Sequence, residues 1–207
     1  GATLGELSLA ATDVDGRVTV DGPDTSVDAV RLATGVRSER PISVGDSAVV
    51  CDSLSVVGDR IDVPSIVIDG GATVGADGGA NVPGGVKFAD VSESDTDLLV
   101  RGGDTTVARV ELRETRLGSV YVQQCTGVQD AIEFRDATLD GNLQVEGTTA
   151  KTEVTLTGAG TAVDAVTVRD ASLESVTIEA GATATGIRLT GSDTAVPGGV
   201  ELTDAGT

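Results

Sequence analysis

The sequence predicts an all-β fold, a parallel β-solenoid in which one chain winds into a stack of short coils. Three observations support this prediction. Apolar-x-apolar triplets recur along the whole chain of 207 residues. Glycine, aspartate, threonine, serine and proline, which favour turns, fill the gaps between the triplets. No segment of helical length is free of glycine and β-branched residues.

Each triplet marks a strand with one buried face, because successive side chains of a strand point to opposite faces. Successive triplets follow one another at short and fairly regular intervals, and the one long step runs from Ile66 to Val86. The triplets are Leu7/Leu9, Val18/Val20, Val30/Leu32, Ile42/Val44, Leu54/Val56, Ile66/Ile68, Val86/Phe88, Leu98/Val100, Val110/Leu112, Val120/Val122, Ile132/Phe134, Leu143/Val145, Val154/Leu156, Val166/Val168, Val176/Ile178, Ile187/Leu189 and Val200/Leu202.

A longer period sets the expected coil. Residues 130–163 align with residues 164–196, and half of the offset between them recurs as well. We therefore predict a single-stranded, right-handed, three-sided β-helix with about 17 residues per coil and about 12 coils. One of the three apolar columns that carry this spacing contains Val122, Leu139, Leu156, Leu173 and Leu189.

Three other architectures stay open. A coil of about 23 residues with two main faces would make Ile132 equivalent to Val110, and those two segments are alike. A four-sided pentapeptide helix needs A-(D/N)-L-x-x units in tandem, of which only fragments such as Ala137-Thr138-Leu139 are present. A β-sandwich has turn signals at similar intervals, but it does not explain a column spacing of about 17 residues.

The domain organisation follows from the same pattern. We expect residues 1–207 to form one β-solenoid domain. The glycine-rich stretch at 69–85 interrupts the pattern, either as a protruding corner loop or as a seam between two half-length solenoids. Cys51 and Cys125 form no CxxC motif, so we expect each to be a small buried apolar residue.

The charge of the chain is extreme, with 33 acidic residues against 14 basic ones and a net charge of −19. Such a surface repels nucleic acid and anionic lipid headgroups. The composition is typical of proteins from haloarchaeal-type halophiles, because molar salt shortens the Debye length to about 3 Å and screens the repulsion. The competing interpretation is a DNA mimic, an acidic rod that occupies a DNA-binding protein.

The absent residue types argue against catalysis. The chain lacks histidine, the commonest general base and metal ligand, and it has one tyrosine and no tryptophan on which sugars or bases could stack. Asp13-Val14-Asp15-Gly16 resembles the start of an EF-hand loop, but Arg17 occupies the fifth position, which must supply an oxygen ligand. We expect no catalytic residue, no metal, no cofactor and no small-molecule substrate.

Three arginines recur at equal spacing. Arg101, Arg135 and Arg169 would lie on one face of the predicted coil, two coils or about 10 Å apart. One interpretation is that they pair with neighbouring acids such as Asp136 and Asp170. The other is that they form a stripe that docks an acidic partner.

The two ends of the chain predict self-assembly. An open solenoid has unpaired backbone groups at each end, and solenoids that stay monomeric usually cap them. The first and last triplets lie within six residues of the ends of this sequence, too close for a capping helix of ordinary length. We therefore expect end-to-end association through Leu7, Leu9, Val200 and Leu202.

The aliphatic triplets and columns resemble those of the bactofilins, polymer-forming cytoskeletal proteins with compact β-helices. The resemblance implies a homopolymer that forms without nucleotide and shapes the cell from the cytoplasm, held at a membrane by a segment outside this chain. Two further hypotheses remain. One is an acidic binding rod, either a DNA mimic or a fibre module of a virus or cell surface, and the other is a polysaccharide-processing β-helix enzyme.

Overall fold

The computed structural model describes residues 2–75, 84–92, 94–124, 127–148 and 152–205. Within these ranges the chain forms 23 β-strands and no helix. Every pairing between these strands is parallel. The predicted all-β class and the parallel β-solenoid are therefore confirmed.

The strands are numbered in chain order and form three sheets. Sheet I contains β1 (Thr3–Leu9), β4 (Ser26–Ala33), β7 (Val49–Val57), β9 (Thr73–Val74), β10 (Gly85–Ala89), β12 (Thr106–Val107), β13 (Val110–Arg113), β16 (Gly127–Val128), β17 (Ala131–Arg135), β19 (Thr152–Thr157), β21 (Leu173–Glu179) and β23 (Val200–Thr203). Sheet II contains β3 (Val18–Val20), β6 (Ile42–Val44), β8 (Ser65–Ile68), β11 (Asp97–Arg101), β14 (Arg116–Leu117), β15 (Val120–Gln123), β18 (Thr138–Glu146), β20 (Ala162–Arg169) and β22 (Thr183–Thr190). Sheet III pairs β2 (Asp13–Val14) with β5 (Arg37–Ser38).

One turn of the solenoid takes roughly 23 residues, and the chain makes about eight turns. The register of the strands shows this turn directly, since Val110 pairs with Ile132 in sheet I and Leu143 pairs with Val166 in sheet II. The apolar triplets alternate between the two sheets, so that each turn contains one main strand of sheet I and one of sheet II. The solenoid therefore has two main faces.

The prediction of a three-sided form is wrong, and so are the predicted short coil and the predicted count of coils. Leu156 and Leu173 belong to sheet I, whereas Leu139 and Leu189 belong to sheet II, so these leucines form no common column. The repeat that relates 130–163 to 164–196 spans about one and a half turns. It aligned a strand of one sheet with a strand of the other, because both sheets use the same local pattern of apolar triplets and corners.

The corners explain the distribution of turn residues. Within two residues of its end, every main strand is followed by a residue in the left-handed region of backbone space, which glycine and aspartate adopt most readily. At Gly158, with φ of 94°, an added Cβ would lie 2.3 Å from Oδ1 of Asp136 on the preceding turn. The residues of this kind after sheet I are Ala11, Gly35, Gly58, Asp90, Glu114, Asp136, Gly158, Ala180 and Asp204, and those after sheet II are Gly22, Asp46, Gly70, Gly102, Gln124, Gly147, Asp170 and Gly191.

The interior is filled by the inward side chains of the triplets and by short corner segments between the two sheets. Phe88 and Phe134 are buried in sheet I on either side of Leu112. Polar side chains enter the interior at the corners, where Thr96 Oγ1 donates to the carbonyl of Val63 on the preceding turn at 2.6 Å. Such bonds satisfy the buried hydroxyl groups, which would otherwise be costly.

Both sheets continue past the glycine-rich stretch at 69–85. Leu54 pairs with Val86 in sheet I and Ile66 pairs with Leu98 in sheet II, so the turn at this point is longer than the average turn. Residues 76–83 of the stretch lie outside the described residues. The right-handed sense stays a prediction, which the strong preference of parallel strand crossovers for that hand favours.

Candidate functional site

The ends of sheet I contain all four residues for which end-to-end contacts were predicted. Leu7 and Leu9 lie in β1, and Val200 and Leu202 lie in β23. In the described part of the chain, β1 pairs on one side only, with β4, and β23 pairs on one side only, with β21. Each terminal strand therefore has an outer edge of N–H and C=O groups that is open to pairing.

The apolar side chains of the last turn are open to solvent. Val200 and Leu202 continue the interior column of Val176 and Ile178, yet they are 40% and 61% exposed. Leu189, in the last main strand of sheet II, is 44% exposed. The prediction that Leu189 lies in an interior column is therefore wrong. Its position in the last triplet of sheet II was the signal that it lies at the end.

The first turn is better covered than the last. Leu7 and Leu9 are partly buried against the core, and Leu4, which sequence reasoning did not single out, is exposed. Leu4, Leu189, Val200 and Leu202 are the exposed large apolar residues of the described chain, and all four lie in the outermost strands. The most exposed large apolar side chains therefore lie at the two ends of the described solenoid.

A groove of about 730 Å³ lies on the corner that leads from sheet I to sheet II. Its charged groups largely pair with one another, since Arg37 Nε lies 3.6 Å from Asp62 and Arg116 Nε lies 2.8 Å from Asp140. A second groove beside Arg37 contains Asp13. Among the described residues, no group of three or more acids or cysteines is placed to hold a metal ion. The two exposed ion pairs of the first groove contribute about 0–1 kcal/mol each.

The most deeply placed ion pair lies at the corner before β13. Arg109 Nη2 lies 2.5 Å from Glu133, Nη1 lies 3.5 Å from Asp130, and the arginine side chain is mostly buried. The hydrogen bond to Glu133 raises the pKa of Arg109, and burial opposes that shift. Arginine stays charged at any ordinary pH. Asp130 and Glu133 lie one turn after Arg109, so these ion pairs link two adjacent turns.

The predicted arginine stripe is split between the two sheets. Arg101 and Arg169 follow strands of sheet II, whereas Arg135 ends a strand of sheet I, because the spacing of these arginines is about one and a half turns. The acids that pair with Arg101 and Arg169 are not Asp136 and Asp170. Their partners lie one turn back in sheet II, where Arg101 pairs with Asp69 at 3.4 Å and Arg169 pairs with Glu146.

The Arg169–Glu146 pair changes the acidity of both groups. The hydrogen bond from Arg169 lowers the pKa of Glu146, although burial opposes the shift, and Gln144 adds a second hydrogen bond. The hydrogen bond to Glu146 raises the pKa of Arg169 in turn. The pair therefore holds both charges over the ordinary pH range.

Cys51 is less buried than expected. Cys51 lies half-buried in β7, with its Sγ 3.3 Å from Oγ of Ser26, and it forms no disulfide. Cys125 lies outside the described residues.

Comparison with known proteins adds no relative. A β-solenoid is used by structural proteins and by enzymes, so the fold does not by itself define an activity. In the ranges that the structure describes, no helix is long and apolar enough to cross a membrane. The chain matches no protein-family model, no curated protein and no solved structure.

Proposed function

We propose that this chain is a structural, non-enzymatic subunit that assembles end to end into a filament or scaffold through the terminal strands of sheet I. The observation that carries the proposal is the place of the exposed large apolar side chains. In the described chain they occur only in the outermost strands, at Leu4, Leu189, Val200 and Leu202. An apolar surface at both ends of a rod favours stacking of one rod on the next.

The register of sheet I supports such a contact. If β23 of one copy pairs with β1 of the next as β21 pairs with β23, Val200 comes opposite Leu7 and Leu202 opposite Leu9. Glu201 then faces Ser8, so no two carboxylates oppose each other at the centre of the contact. Full burial of an aliphatic side chain contributes about 1.5–3 kcal/mol. Leu202 is the most exposed of the four residues, at 61%, so its burial should contribute most.

The proposal includes the cellular role that the bactofilin resemblance implies. The chain would form polymers without nucleotide, in a cytoplasm of high salt, and would shape the cell from a membrane to which another segment holds it. The aliphatic, parallel β-solenoid core supports this role, because each turn contacts only its neighbours and the stack can be extended by another copy. The partner that the two ends select is a second copy of the same chain.

The experiment compares assembly of the parent chain with that of two end variants at molar salt, by sedimentation velocity and negative-stain microscopy. Leu202→Glu and Leu9→Glu each place a charge in the contact and should shift long assemblies to single rods, with association weakened at least about a hundredfold. Thr155→Glu adds the same charge to the middle of the rod, on β19, and should assemble like the parent.

Circular dichroism of each variant checks that the strands still form. A parent chain that stays a single rod at high concentration would refute end-to-end assembly. Equal assembly of Leu202→Glu and the parent would remove β23 from the contact.

A further inference from the structure

The outer face of sheet II carries apolar side chains, although an outer face is expected to be polar. Val67, Leu99 and Tyr121 point outward from three consecutive strands and pair in register. Val67 is 9% exposed, and Leu99 and Tyr121 are half-buried. Tyr121 is the one tyrosine of the chain. Tyrosine is enriched in protein interfaces, and the fully buried centre of an interface is more apolar than the rest of the surface.

The matching column on sheet I has no such patch. It consists of the outward residues at the middle of each triplet, and all of them are polar or charged. They are Ser8, Arg31, Ser55, Lys87, Glu111, Glu133, Thr155, Thr177 and Glu201. Solvent exposure alone would give both sheets this pattern, so sheet II differs for another reason.

Beside the apolar patch runs a column of alternating charge. On five consecutive strands of sheet II, the residue after the triplet is negative, positive, neutral, negative and positive. The column is neutral, although the chain has a net charge of −19. Its members are Asp69, Arg101, Gln123, Glu146 and Arg169.

This column is complementary to its own reverse. When the order is reversed about Gln123, Arg101 comes opposite Glu146 and Asp69 comes opposite Arg169, with no two like charges opposed. Two copies that face each other are related in this reversed order by a two-fold axis that runs parallel to β15, between the two facing sheets. The same axis brings Tyr121 against Tyr121 of the second copy, and Leu99 against the aliphatic part of Gln144.

We propose that sheet II is a lateral interface through which two copies of this chain pack face to face and antiparallel, with Tyr121 on the two-fold axis. The occupant is a second copy because the charge column is complementary to its own reverse. The ion pairs within each copy, Arg101 with Asp69 and Arg169 with Glu146, stay in place. Each arginine gains a second carboxylate across the interface.

Packing with the same polarity fits the charges less well. It would place every residue of the central column against itself, so that Arg188 on β22 would oppose Arg188 of the second copy. Arg101 would then face Asp97, but Glu146 and Arg169 would face Asn142 and Ala165, which carry no charge. The antiparallel arrangement avoids the like-charge contact and uses all four charges of the column.

The size of the face sets the expected strength. Eight main strands at a spacing of about 4.8 Å, each with about five residues, give a face of roughly 600 Å² per copy. Standard stable interfaces bury about 800 Å² per partner. We therefore expect a weak dimer that forms at high protein concentration.

The test is a charge-reversal experiment in the background of Leu202→Glu, which removes end-to-end contacts at a residue that is already exposed. Sedimentation equilibrium at the lowest salt at which circular dichroism shows the full fold should reveal a monomer–dimer equilibrium. Arg101→Glu and Glu146→Arg should each weaken the dimer more than about tenfold, because each opposes like charges twice across the axis. Mixing the two variants in equal amounts should restore dimerisation, since every reversed charge then meets its opposite.

The control is Arg113→Glu on sheet I, which should dimerise like the background. A background that stays monomeric at all concentrations would overturn the interface. If Asp97→Arg restored dimerisation of the Arg101→Glu variant and Glu146→Arg did not, the result would overturn the antiparallel arrangement in favour of the same-polarity one. Arg101→Glu with an intact Leu202 should still form end-to-end assemblies, so failure of the lateral contact and failure of end-to-end stacking are told apart.

Discussion

At the scale of the residue, the corners of the solenoid depend on left-handed backbone positions after each main strand. Glycine takes this conformation without a steric cost, and aspartate tolerates it because its side chain bonds to nearby backbone. Alanine has neither advantage, and a left-handed residue with a Cβ costs about 1–2 kcal/mol. Ala180, with φ of 54°, therefore stores strain at the corner after β21.

Ala180→Gly should raise the free energy of unfolding by up to about 1 kcal/mol, because relief of strain exceeds the added freedom of the unfolded chain. Ala165→Gly, in β20 and outside the left-handed region, is the matched control and should lower the free energy of unfolding by about 0.5–1 kcal/mol. Urea unfolding at molar salt measures both. A stability loss of the same size in both variants would show that Ala180 is not strained.

A second residue-scale prediction concerns the pair of Glu146 and Arg169. The pKa of Glu146 is lowered on folding, chiefly by the hydrogen bond from Arg169. The pair therefore stabilises the fold above the ordinary carboxyl pKa of 4.5, and this contribution is lost as the pH falls through the lower folded value. Glu146→Gln should lower the melting temperature slightly at pH 7 and match the parent at strongly acidic pH.

Glu153→Gln provides the comparison for that measurement. Among the described residues Glu153 is exposed and makes no ion pair, so its variant should not show the loss at pH 7 that Glu146→Gln shows. A difference between Glu146→Gln and the parent that persists in acid would show that the pair does not stabilise through its charge.

At the scale of the element, each main strand has an interior face and an outer face that tolerate opposite substitutions. Leu156 on β19 is fully buried between Phe134 and Ile178. Leu156→Asp would bury a carboxylate without a partner and should cost several kcal/mol. Thr155→Asp adds the same charge one residue away, on the outer face beside Glu133, and should cost less than about 1 kcal/mol. Thermal melts that coincide for the two variants would contradict the inward orientation of Leu156.

At the scale of the whole molecule, acidic side chains stack on successive turns. Asp90, Glu114 and Asp136 follow three consecutive strands of sheet I, at one corner of the solenoid. Adjacent turns are about 4.8 Å apart, so these carboxylates repel one another unless salt screens them. The net charge of −19 adds the same repulsion over longer distances.

Dilution from molar salt to about 0.1 M should therefore lower the melting temperature, because the Debye length rises from about 3 Å to about 10 Å. Mild acidification should restore part of the loss by protonating carboxylates. Asp136→Asn keeps a side chain that tolerates the corner and should reduce the salt dependence. A melting temperature that stays constant with salt would count against adaptation to high salt and favour the DNA-mimic interpretation.

The sequence alone determined where the strands lie and which of their side chains point inward. Alternation of apolar residues is a local property of an extended chain, and the triplets from Val20 to Ile178 are buried as it predicts. The parallel solenoid also followed from the sequence, because the apolar columns recur at a fixed spacing, which stacked turns explain and a β-sandwich does not. The same alternation marks Leu7, Leu9, Val200 and Leu202 as strand residues, and they lie in the terminal strands of sheet I; their role in assembly stays a prediction.

Only the tertiary structure decided which strands are neighbours. Both sheets use one local pattern, so a half turn and a full turn look alike in the sequence. The sequence therefore predicts two short coils where the structure has about one and a half turns. The true turn of roughly 23 residues moved Leu189 to an open end and separated Arg135 from Arg101 and Arg169. It also brought Val67, Leu99 and Tyr121 together on sheet II. Pairing between strands depends on residues far apart in the chain, and that is why local periodicity could not set it.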